Sequence, residues 1–98
     1  MAQLLDDNDI DDALAALPGW RREGNKLVRD VPVEDDSRDN LERAIMTVAD
    51  ELDHHPVISE GDGELRLEVW THSDGGITAK DVELAGRIDQ ALTGPVQD

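Results

Sequence analysis

The apolar period of this chain changes from helical to strand-like across a single proline, Pro56, and that change constrains the fold more than any other feature. Before it, Leu41, Ala44, Ile45, Val48, Ala49 and Leu52 recur at the three- and four-residue spacing that buries one face of an α-helix. After it, Leu65, Leu67 and Val69 alternate with Arg66, Glu68 and Trp70, the two-residue period of a half-buried strand. Pro56 disfavours helical dihedrals at His55. The spacing therefore predicts that the helix ends near Asp53 or His54 and that an extended segment, Val57 to Ser59, follows. His54 and His55 sit at the junction.

The remaining elements follow from similar signals. Ile10, Ala13, Leu14 and Leu17 form a short helical stripe, with Asp9 or Asn8 available as N-cap and Pro18-Gly19 as the stop. Trp20 to Glu23 and Lys26 to Val31 read as a hairpin joined at Gly24-Asn25. Asp36 or Ser37 is expected to cap the long helix. Gly61-Asp62-Gly63 is expected to be a turn and Ser73 to Gly76 a loop. By strand parity, His72 points to the same side as Trp70. Thr78-Ala79-Lys80-Asp81 has the spacing of a capping box, with Asp standing in for Glu. It opens a last helix through Val82, Leu84, Ala85, Ile88 and Leu92, stopped by Gly94-Pro95. The order α-β-β-α-β-β-α, with short turns between paired strands, predicts a two-layer α+β fold whose helices cover one sheet face. The other face is left exposed or used for assembly.

Ninety-eight residues suit one domain, residues 1–98, with an aliphatic core, since Trp20 and Trp70 are the only aromatic residues. Twenty-four acidic residues against nine basic ones give a formal charge of −15. The acids are spread along the whole chain and Lys is scarce relative to Arg. This pattern fits adaptation to concentrated salt, where screening shrinks to about 3 Å at 1 M and self-repulsion nearly vanishes. An acidic interaction protein from an ordinary cytosol is the alternative. The absence of cysteine excludes disulfides and thiolate metal sites. Met1 to Asp12 lacks the basic and apolar regions of a signal peptide, and no apolar run approaches membrane-spanning length. A soluble cytoplasmic protein is expected, with no membrane partner. Without a basic patch, no nucleic-acid partner is expected either.

The chemistry is expected at the three histidines, His54, His55 and His72, because imidazole exchanges protons near neutrality and the chain has no cysteine or tyrosine to share that work. Three readings compete. A zinc site needs converging imidazoles, and adjacent residues entering an extended segment point apart. Surface histidines at a helix end, favoured by the C-terminal dipole, are the plain structural reading. General acid–base catalysis is the third. Asp50, one helical turn before His54, is placed to hold that ring's other N–H, or is simply one more solvated acid.

From Gly19-Trp20 to Asp81 the chain resembles the pterin-4a-carbinolamine dehydratase family. The resemblance rests on Asp50, His54-His55-Pro56, Thr71-His72, Gly76-Ile77-Thr78 and Asp81, in that order and with the family's interval from Pro56 to His72. It implies four antiparallel strands with three helices on one face, assembled as dimers or tetramers, and a pterin substrate dehydrated without cofactor or metal. It further implies proton transfer by His54 and His72, ring binding mainly by His55, an imidazole oriented by Asp81, and Trp20 lining the pocket. The family also brings a rival class, non-catalytic dimerisation partners of transcription factors. Where the family carries an aromatic residue about six positions after the proline, this chain has Asp62 or Gly63, and its hairpin offers Leu27, Val28 and Val31. That departure leaves the substrate open, another reduced or molybdenum-cofactor-related pterin being the alternative.

Overall fold

The computed structural model describes residues 3–93, so the helix stop expected at Gly94-Pro95 lies outside the described residues. The elements are α1 (Asp7–Ala15), β1 (Arg21–Glu23), β2 (Lys26–Pro32), α2 (Asp35–Leu52), β3 (Val57–Gly61), β4 (Glu64–Val69) and α3 (Ala79–Thr93). The strands form one sheet in the order β1-β2-β4-β3, with every neighbouring pair antiparallel. The expected α-β-β-α-β-β-α order and two-layer α+β architecture are both present.

Register decides which residues meet the helices. Leu27 pairs with Val69, Arg29 with Leu67 and Val31 with Leu65, so these six side chains share one face. All but Arg29 are buried. Over them lie Ile10 of α1, Ile45 and Ala49 of α2, and Leu84, Ala85 and Ile88 of α3, in one aliphatic core. Such a core is sensitive to volume: truncating one of its fully buried Leu or Ile residues to Ala costs about 2–5 kcal/mol. Arg29 is tolerated on this inner face because its guanidinium donates to Asp89 of α3 at 2.7 Å.

The opposite face carries charge. Arg21 bridges Glu23 and Asp30, Arg66 also reaches Asp30, and Lys26 meets Glu68 at 3.4 Å. Val28 belongs to this face, flanked by Arg21 and Glu68, and is nevertheless fully buried. Long charged side chains lying along a sheet cover apolar surface with their stems in this way.

The boundaries differ from expectation where caps compete. Helix α1 starts earlier than Asn8 or Asp9 would set it, because the carboxylate of Asp6 accepts from the Asp9 N–H at 2.8 Å. Helix α2 likewise begins before Asp36 and Ser37, with Glu34 at the N-cap position and no side-chain cap. Arg38 fixes that end instead, donating to the carbonyls of Glu64 and Gly61 and so tying the first turns of α2 to the β3–β4 hairpin. Strand β3 runs on to Gly61, which narrows the turn to Asp62-Gly63, where Gly63 takes a φ of 71°. Among the described residues, no helix is long and apolar enough to cross a membrane.

Candidate active site

The junction after α2 is built by a left-handed residue. Asp53 has φ 53° and ψ 42°, its N–H donates to the Asp50 carbonyl at 3.2 Å, and the His54 N–H donates to the Ala49 carbonyl at 3.1 Å. These two bonds form a Schellman motif, which satisfies the last helical carbonyls and swings the chain off the helix axis. His54 therefore leaves the helical face it would have shared with Asp50.

That swing corrects the expected pairing of Asp50 with His54. Asp50 meets His55 instead, Oδ1 to Nε2 at 2.8 Å, in an exposed contact. His54 turns inward to Asp81, Nε2 to Oδ1 at 2.5 Å, with the imidazole largely covered and the carboxylate wholly buried.

The capping box at the start of α3 explains why an acid can be buried there. Asp81 Oδ2 accepts the Thr78 N–H at 2.9 Å, and the Lys80 N–H donates to Thr78 Oγ1 at 3.2 Å. Asp reaches the N-cap although it is one methylene shorter than Glu. The Thr71 hydroxyl donates to Asp81 Oδ2 at 2.9 Å, and the Thr71 and Thr78 hydroxyl oxygens are 2.8 Å apart. Thr71 spends its one proton on Asp81, so Thr78 must donate to Thr71. Every hydrogen bond in the network then runs toward an ionised Asp81, and its remaining oxygen accepts from His54 Nε2–H. This assignment leaves neutral His54 as the Nε2–H tautomer, with a lone pair on Nδ1. Nδ1 has no partner among the described residues.

Strand parity brings His72 and Trp70 together as expected: their rings stack with centroids 4.2 Å apart and planes 22° from parallel. His72 is exposed, while the preceding Thr71 is buried on the Asp81 side. His54 and the Thr71-His72 dipeptide are thus joined through one carboxylate. Trp20 is 5% exposed in the core, and its indole N–H donates to Asp89 at 2.8 Å, so its hydrogen bond goes to α3 and not to the junction. An open depression lined by Pro32, Val33, Glu34, Asp35 and Gly63 lies at the other end of the sheet from the histidines. Among the described residues, no group of three or more His, Asp or Glu side chains is arranged to hold a metal ion.

Thr71 and Thr78 are the members that residue-type reasoning on the histidines missed. Their signal was present in the sequence, since Thr78 heads the capping box and Thr71 immediately precedes His72.

Fold and site together define a small two-layer α+β domain with a histidine, a buried aspartate and two threonines linked at a helix–strand junction. The sequence profile of the pterin 4 alpha carbinolamine dehydratase family matches residues 3–91. The chain belongs to that family. A Mycobacteroides abscessus protein named provisionally as a pterin-4-alpha-carbinolamine dehydratase is 46% identical over 91 residues, covering 91% of this chain and 96% of the relative. A Sulfolobus acidocaldarius protein with the same provisional name is 40% identical over 88 residues, covering 88% of this chain and 96% of the relative. A solved structure, described as a transcriptional coactivator/pterin dehydratase from Brucella melitensis, superposes with a TM-score of 0.84 at 25% identity, covering 94% of this chain and all of its own.

Proposed function

We propose that this protein dehydrates a 4a-hydroxytetrahydropterin to the quinonoid dihydropterin by histidine acid–base catalysis. The observation that carries the reading is the His54–Asp81 pair, because the carboxylate at Nε2 fixes the ring and leaves its Nδ1 edge without a partner among the described residues, open to act as a base. In the reaction, His54 Nδ1 takes the N5 proton and the freed electron pair forms the C4a=N5 bond. The C4a–O bond breaks as His72 protonates the hydroxyl, which leaves as water. One proton is gained by His54 and one lost by His72, so exchange with solvent resets both rings. His55, oriented by Asp50, contributes to binding the pterin ring. The step needs no cofactor or metal.

Family membership supports the substrate class, and the names of the relatives support a dehydratase. A molybdenum-cofactor-related pterin is the alternative substrate, given Asp62 and Gly63 where the family has an aromatic residue. The Brucella protein is described as a coactivator as well as a dehydratase, so a non-catalytic interaction protein is the second reading. We place the protein in the cytoplasm, as a homodimer or homotetramer.

The test is the rate of dehydration of a synthetic 4a-carbinolamine, followed by its ultraviolet absorbance with and without the protein. Acceleration well above the buffer rate supports the enzyme. The uncatalysed rate, with an intact oligomer, favours the interaction protein.

A further inference from the structure

Of the three histidines, two have a carboxylate at Nε2: Asp81 for His54 and Asp50 for His55. The imidazole of His72 has neither a carboxylate nor any other hydrogen-bond partner among the described residues, although its backbone carbonyl accepts the Gly75 N–H at 3.2 Å. What it has is Trp70, stacked at 4.2 Å. We propose that Trp70 is the positioning residue of His72, fixing the plane of the imidazole by stacking so that both ring nitrogens remain free at its edge. The proposal rests on the functional reading above, in which His72 gives a proton to the departing hydroxyl.

An exposed imidazole at the end of a strand is free to rotate about two side-chain torsions, and proton transfer requires one of those orientations. A carboxylate partner would fix the ring but would occupy one nitrogen. A stacked indole fixes it through its face and occupies neither. This suits a group that must take a proton from solvent and deliver one to substrate.

The indole is itself held. Trp70 is half-buried, one residue beyond the Leu27–Val69 pair, and Lys26 Nζ lies over its ring, 4.9 Å from the centroid. Lys26 is anchored in turn by Glu68 at 3.4 Å. The open sheet face thus supplies a fixed platform, running from Glu68 through Lys26 and Trp70, on which the third histidine rests. Alternation along the strand puts Thr71 on the buried side, so one short stretch serves Asp81 with one residue and supports His72 with another.

Trp70→Leu and Trp70→Phe test this in the intact protein. The indole ring current should move the carbon-bound ring protons of His72 upfield of those of His54 and His55 in the wild-type proton NMR spectrum, and the shift should vanish in Trp70→Leu. In the dehydration assay, Trp70→Leu should lower kcat about ten- to a hundredfold with KM little changed. Trp70→Phe, which still stacks, should restore most of it. The same far-UV circular dichroism in all three proteins is expected, because the core does not include Trp70. His72 protons that do not move on Trp70→Leu, or equal kinetic loss in the Leu and Phe variants, would overturn the proposal. A wild type that dehydrates no carbinolamine would overturn the functional reading instead, while the ring-current comparison would still decide whether Trp70 holds His72.

Discussion

Asp81 binds His54 through one carboxylate oxygen, at 2.5 Å, and the N-cap of its own helix through the other, at 2.9 Å from the Thr78 N–H. The side chain that caps the start of α3 is therefore also the one that holds His54 Nε2. Fold and candidate site share a single buried charge.

Asp81→Asn should damage both. The amide keeps the shape but cannot accept all the donors aimed at it, leaving the Thr71 hydroxyl or His54 Nε2–H without a partner. Urea denaturation should show a loss of about 1–3 kcal/mol, and the dehydration rate should fall by about 10²- to 10⁴-fold. Thr71→Val should cost similar stability while keeping the His54–Asp81 contact, and so lose less activity. Equal rates for wild type and Asp81→Asn would remove Asp81 from the mechanism.

Asp53 is a non-glycine residue in the left-handed region, and it places a negative charge at the C-terminal end of α2, where the helix dipole disfavours it. Asp53→Gly should relieve both and stabilise the protein by about 0.5–1 kcal/mol, or several degrees in Tm. Since the Schellman geometry is kept, His54 should still reach Asp81 and activity should be unchanged. A lower Tm would mean that the Asp53 side chain makes a contact that outweighs its backbone strain.

The fold was legible where an element carries a clean apolar period, as α2 and β4 do. The stripe from Leu41 to Leu52 and the alternation of Leu65, Leu67 and Val69 both became one-sided burial. Trp70 and His72 fell on one side by parity alone. The pairing of Asp50 was not legible, because the helical spacing to His54 holds only while the helix continues, and the left-handed Asp53 ends it one residue too soon. The N-termini of α1 and α2 were misplaced because this chain offers an acid at nearly every candidate cap position. Only the folded backbone selects among them.

Glu42 of α2 is held above the ordinary carboxylate range, first by hydrogen bonding with Glu60, then by burial and by the charges of Glu60 and Asp39. A raised folded-state pKa means that the stabilising protonated form is present at low pH and lost as pH rises through that value. Glu42→Gln should therefore be more stable than wild type at neutral pH by a few tenths of a kcal/mol, with the difference shrinking on acidification. Urea denaturation of both proteins across mildly acidic to neutral pH checks the sign. A gap that widens toward acid would contradict it.

Salt should matter globally. A formal charge of −15 on 98 residues disfavours the compact state unless it is screened. Far-UV circular dichroism should show folding lost as KCl is lowered from molar to millimolar concentration. A spectrum unchanged across that range would mark an ordinary acidic protein and remove the case for halophilic adaptation.

The most direct test is the dehydration rate of a synthetic 4a-carbinolamine by His54→Ala and His72→Ala, each compared with wild type at the same oligomeric state. Loss of about 10²- to 10⁴-fold in each variant is predicted, with far-UV circular dichroism unchanged. Wild-type rates in both would contradict it.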